Sequence, residues 1–105
     1  MKMIYMVAIN YLAPGKYPEY AALAKDLPPI YAKEKLNFIS SWHSLLGDIN
    51  QIWALFSFDD WTDYQNKMQA MRRNKDYAAI STKTSVISIK QERFMLEANP
   101  WSPMK

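Results

Sequence analysis

Apolar positions along the chain group into four strand-like runs and two helical stretches. Residues 3–11 form a near-continuous apolar run rich in β-branched and aromatic side chains, which predicts a first strand buried on both faces. Ala13-Pro14-Gly15 reads as a turn. Pro18 suits the first turn of a helix, where its missing N–H costs nothing, and Tyr20, Leu23, Ala24, Leu27, Ile30 and Tyr31 then recur at helical spacing. Pro28-Pro29 predicts a break near Asp26, with a second short segment running to Lys35. Residues 37–46 and 49–58 read as strands two and three, joined by a two-residue hairpin turn at Gly47-Asp48. Asp59 or Asp60 is placed to cap the next helix, whose apolar stripe is Trp61, Tyr64, Met68 and Met71. Residues 76–81 suggest a short extra turn anchored by Tyr77 and Ile80, residues 84–96 a fourth strand, and residues 98–105 a proline-bearing tail.

The resulting order, βαββαβ, predicts an α+β ferredoxin-like plait. Two right-handed crossovers put strand three beside strand one and both helices on one face of an antiparallel sheet. A single domain over residues 1–97 is expected, with residues 98–105 as a tail covering the barrel or the dimer interface. The sheet's second face should be polar in a monomer, yet strands one and three are apolar on both sides. Ile4, Met6, Ala8, Ile52, Ala54, Phe56 and Phe58 fall on one side, and Val7, Ile9, Trp53 and Leu55 on the other. A soluble monomer rarely exposes an apolar face of that size, and eight tail residues are too few to cover it. A homodimer, closed sheet to sheet into a barrel, is therefore expected.

Composition narrows the chemistry. The chain has 105 residues, enough for one core, with 50% hydrophobic and 22% charged residues. Two glycines leave no room for a phosphate loop or a nucleophile elbow. Zero cysteines remove thiol catalysis and zinc–thiolate sites, and one histidine removes a multi-histidine metal site within a single chain. The second helix offers no axial ligand for haem. No cofactor and no metal are expected. Net charge is +3, and the one basic cluster, Lys67, Arg72, Arg73 and Lys75, reads as a solvated helix face rather than a nucleic-acid stripe. The first apolar run is too short to span a membrane and has no small-residue cleavage site. No membrane partner and a cytoplasmic location are expected.

Several motifs, in order and spacing, resemble the NIPSNAP-type group of dimeric α/β-barrel proteins over nearly the whole chain. Met3-Ile4-Tyr5 leading to Ala13-Pro14-Gly15-Lys16-Tyr17-Pro18-Glu19-Tyr20 is similar to the family's first strand and its K-P-G-K-x-P-E-Y approach to helix one. Trp42 and Gly47-Asp48-Ile49-Asn50 match at the hairpin, Asn74-Lys75-Asp76-Tyr77 at an x-P-x-W-like stretch, and Gln91-Glu92 in strand four. Pro100-Trp101-Ser102-Pro103 resembles a terminal P-F-S-P. The resemblance implies a dimeric barrel with a pocket between sheet and helices, but no reaction. Related barrels include cofactor-free oxygenases, isomerases, cyclases, haem-binding enzymes and ligand sensors, and fold alone does not choose among them. This chain departs from the family pattern by carrying Leu45 at a glutamate position and Ala54 at a histidine position. Its pocket chemistry is accordingly apolar and aromatic.

Against that background, His43 is the sharpest catalytic candidate, a lone imidazole able to act as general acid or base and placed by motif parity on the pocket face together with Leu45. Asn10 interrupts an apolar strand. It could orient a substrate carbonyl or stabilise an oxyanion, or it could satisfy backbone groups near the following turn. Met6, Ala8, Leu45, Ala54, Phe56 and Phe58 are the expected substrate-binding wall, mixing small and aromatic residues around room for a flat molecule. Glu92 and Arg93 must point to opposite faces, and the sequence leaves open which points inward. Three functions stay open. One is a cofactor-independent oxygenase, cyclase or isomerase acting on a hydrophobic, aromatic or polyketide-like molecule. Another is a non-catalytic dimer that binds a ligand or a protein partner. The last is a purely structural dimer sealed by the tail.

Overall fold

The computed structural model describes residues 3–103. Residues 1–2 of the expected domain and 104–105 of the expected tail lie outside the described residues. The elements run β1 (Ile4–Leu12), α1 (Tyr17–Ala24), α2 (Leu27–Lys33), β2 (Asn37–His43), β3 (Gln51–Phe58), α3 (Trp61–Arg73), α4 (Lys75–Val86) and β4 (Ser88–Glu97). The sheet order is β2-β3-β1-β4, and every neighbouring pair is antiparallel. This is the ferredoxin-like plait, with each of its two crossover helices split in two.

Local chemistry explains the splits. Pro28 and Pro29 occupy the opening turn of α2, where proline is tolerated, so the helical stretch restarts after Asp26 instead of running on. Asp60 caps α3 by accepting the Asp63 N–H at 2.8 Å, and Asp63 in turn accepts the Asp59 N–H at 2.9 Å. The Asp59 N–H, and then the Lys67 ammonium, hold the Asp63 carboxyl below the usual aspartate range, against a smaller opposing effect of burial. Asn74 caps α4 through the Tyr77 N–H at 3.0 Å.

Three boundaries differ from the sequence reading. Helix α4 is a full 12 residues rather than a short turn, so β4 starts at Ser88 and not at residue 84. Hydroxyl residues look strand-like by composition. Here the Thr82, Thr84 and Ser85 hydroxyls donate to carbonyls three or four residues back, which lets them continue a helix. The β2–β3 connection is a loop over residues 44–50 rather than a two-residue turn. Gly47 does take positive φ, at +74°. However, Ser44 Oγ donates to the Leu46 carbonyl and Asp48 accepts the Asn50 N–H, closing a wider loop that carries Leu45 into solvent. In α3, Tyr64, Met68 and Met71 pack inward, but Trp61 is mostly exposed and meets Tyr64 edge to face.

All four helices cover the sheet face formed by Met6, Phe56, Phe58 and their neighbours, where Ile30, Leu36 and Met71 complete the core. Pairing register puts Trp42, Trp53, Leu55, Val7, Phe94 and Leu96 on the opposite face. Trp42, Trp53, Phe94 and Leu96 are exposed there, and Trp101 of the tail is 81% exposed rather than folded over them. One irregularity affects the site. Pairing slips between Phe38 and Ser40, leaving Ile39 as an extra residue in β2. Phe38, Ser41 and His43 therefore all face the helices, opposite Phe56, Ala54 and Ile52.

Candidate functional site

A cavity of about 160 Å³ lies between the sheet and the helices. Two alanines make its floor. Ala8 and Ala54 pair directly across β1 and β3 in the middle of the sheet, where larger neighbours would fill the space. Ala24 and Pro28, on either side of the α1–α2 break, hold the roof back. One end is apolar, with Met6, Leu36, Phe38, Phe56, Met68 and Met71. Tyr31, Phe38 and Phe56 form a mutual cluster with centroids 5.0–5.4 Å apart, the Tyr31–Phe56 pair edge to face at 88°.

The other end is polar. Asn10 on β1 and Gln91 on β4 face each other across the sheet, and Arg93 faces Ala8 one step along. Arg93 Nε donates to Gln91 Oε1 at 3.3 Å. Asn10 Oδ1 is buried and has no hydrogen-bond partner among the described residues. The Asn10 amide sits by the Tyr20 hydroxyl, where burial pushes the Tyr20 phenol up and the amide partly offsets the rise. Burial pushes Tyr31 far above the ordinary phenol range, Tyr77 and Tyr20 add to the shift, and Arg93 opposes it. These phenols therefore stay protonated at neutral pH and serve as neutral donors and acceptors.

The cavity thus gathers Met6, Ala8, Asn10, Ala54 and Phe56 of the expected site residues. It does not gather the other three. Leu45 stands 84% exposed in the β2–β3 loop, because β2 stops at His43 and the strand parity ends with it. Phe58 is 1% exposed and packs edge to face on Tyr64, which makes it core rather than wall. His43 faces the helices as expected but lies outside this cavity. It lines an adjoining depression with Tyr17, which shares Tyr20, Ala24, Ser41 and Ile52 with the cavity wall. The Tyr17 hydroxyl lies 3.3 Å from His43 Nδ1, and the two rings are tilted with centroids 4.9 Å apart. Between Glu92 and Arg93, it is Arg93 that lies on the helix side of the sheet, at the exposed rim of the cavity. Glu92 lies on the open face near Lys90, 3.8 Å away. Tyr20, Tyr31 and Tyr77 escaped the sequence reading as site residues. Their signal was a phenol in an otherwise apolar helix stripe, a group that needs a polar partner once buried.

Fold and cavity together define the class, an α+β ferredoxin-like plait with a hollow under its helical layer. The chain belongs to the NIPSNAP family, whose family model matches residues 5–103. Two solved NIPSNAP family proteins from Agrobacterium tumefaciens superpose closely. One has a TM-score of 0.91 at 21% identity over 99% of this chain and 92% of that one. The second, described as of unknown function, has 0.90 at 18% over 99% and 95%. A cofactor-independent oxygenase from Streptomyces nogalater matches at 0.68 and 12% identity, over 98% and 99% of the two chains. At these identities the likeness is one of fold. No curated protein matches the sequence. Among the described residues, no helix is long and apolar enough to cross a membrane.

Proposed function

We propose that the chain works as a homodimer that encloses a small hydrophobic molecule in the cavity and transforms it without a cofactor, by oxygenation, cyclisation or isomerisation. The observation that carries the reading is Asn10 Oδ1, a buried acceptor without a partner at the polar end of the hollow. Leaving such a group unpaired costs about 1–3 kcal/mol, and a bound molecule with a matching donor removes that cost. Asn10 orients the ligand. His43, reached through the shared wall at Tyr20 and Ser41, exchanges the proton, with Tyr17 fixing its ring. A second copy supplies cover for the exposed Trp42, Trp53, Phe94 and Leu96, and Trp101 of the tail lies near enough in sequence to β4 to join that seam.

The second reading, a dimer that binds its ligand without chemistry, is favoured by the position of His43 outside the main cavity. Native mass spectrometry of the purified protein, followed by organic extraction, tests the part both share. A dimer with a small extractable mass that is absent from Ala54→Trp, where indole fills the floor, supports the cavity. Retention of that mass in Ala54→Trp overturns it. Incubation of the extracted molecule with wild type and His43→Ala then separates the two readings. Turnover lost in the variant supports catalysis, and binding without turnover in both supports the second.

A further inference from the structure

We propose that the molecule held in the cavity is a compact amphipathic anion, a hydroxy acid of single-ring size whose carboxylate rests on Arg93 and whose hydroxyl donates to Asn10 Oδ1. The inference rests on the cavity being a ligand site, as proposed above. Arg93 is the one charged residue of the cavity wall, and no acid lines it. Among the described residues Arg93 has no carboxylate at ion-pair distance. Its one side-chain bond uses Nε, which leaves the two terminal nitrogens for a ligand. A planar guanidinium with both end nitrogens available matches a carboxylate in two-pronged fashion. The tyrosines beside it remain neutral, so nothing in the cavity competes for that charge.

Spacing and size then restrict the ligand. Asn10 and Arg93 sit two residues apart in the β1–β4 ladder, on the same face. Two strand residues span about 6.8 Å, and the bond from Arg93 Nε to Gln91 leans the guanidinium back toward Asn10. A carboxylate and a hydroxyl at opposite ends of one aromatic ring fit such a gap. The cavity's 160 Å³ is close to the roughly 150 Å³ of an apolar cavity known to hold benzene. The alanine floor at Ala8 and Ala54 would contact the ring itself.

The test uses the full-length 15N-labelled protein at pH 7 and low salt, titrated separately with 4-hydroxybenzoate, benzoate and methyl 4-hydroxybenzoate. The readouts are the amide resonances of Ala8 and Ala54 and the Arg93 Nε–Hε resonance. We expect 4-hydroxybenzoate to move all three signals and to bind at least ten-fold more tightly than its methyl ester. Arg93→Gln should abolish that preference while leaving ester affinity unchanged, and Asn10→Leu should abolish the advantage over benzoate. Equal affinity for acid and ester, with Ala8 and Ala54 responding, overturns the anion assignment and leaves the cavity standing. A shift at Arg93 alone marks a surface ion contact and also overturns it. Silence at Ala8 and Ala54 for all three probes overturns the cavity reading and this inference with it.

Discussion

Replacing Asn10 by leucine separates a binding role from a structural one. A side chain kept for the fold loses stability when its polar groups are removed, whereas one kept for a ligand gains it. Asn10 Oδ1 is buried without a partner, so its desolvation costs the ligand-free protein about 1–3 kcal/mol. The Asn10 amide interacts with Tyr20, and losing that contact costs about 0.5–1.5 kcal/mol. Leucine has the same branched shape, is somewhat larger and can extend into the hollow beside it, so no new void enters the sum. The balance favours the variant by about 1 kcal/mol, which raises Tm by about 4–8 °C in a domain of this size. Far-UV circular dichroism melts of both proteins, at one fixed protein concentration because an oligomer's Tm depends on it, read the difference. A lower Tm for Asn10→Leu would refute the reasoning and assign Asn10 to the fold.

Three further outcomes follow from the same geometry. Trp53→Glu, which puts a charge in the middle of the exposed apolar face, should convert a dimer to a soluble monomer by light scattering, and an unchanged mass would remove that face from the interface. Phe58→Ala should cost about 3–5 kcal/mol by urea unfolding, because a fully buried ring packed on Tyr64 is lost; a cost under 1 kcal/mol would contradict its place in the core. Burial raises the Tyr31 phenol above its ordinary pKa of 10.0, so the unfolded chain loses that proton first. Stability is then unaffected by this group below about pH 10 and falls as pH rises beyond it. Tyr31→Phe should make that alkaline loss shallower, and an identical slope would count against a buried phenol.

The plait was legible because periodicity reports burial. The run at residues 3–11, the Pro28-Pro29 break and the Asp60 cap each state a local rule that the tertiary structure obeys. Leu45, Leu46 and Ile49 misled for the opposite reason, being apolar residues that a loop holds in solvent with no strand partner to bury them. Helix α4 was hidden by its serines and threonines, whose hydroxyls bond back to the helix itself. The floor of the cavity could be read from β1 and β3, whose parity is clear, and Met6, Ala8, Asn10, Ala54 and Phe56 came from there. The polar end depended on the register of β4 against β1. That is a long-range pairing, and it decides between Arg93 and Glu92.

The extra residue at Ile39 sets the phase of everything after it in β2. Side chains alternate strictly along a strand, so if residue 39 were paired in a regular ladder, Ser41 and His43 would turn outward and Ser40 and Trp42 inward. The imidazole and an indole would exchange places without a single substitution. The bulge absorbs the extra residue and prevents that exchange, and removing residue 39 would leave Ser41 and His43 under the helices in a plain strand. Among chains that share this plait, one wall of the hollow thus survives a one-residue change in the length of β2 as long as the bulge comes and goes with it.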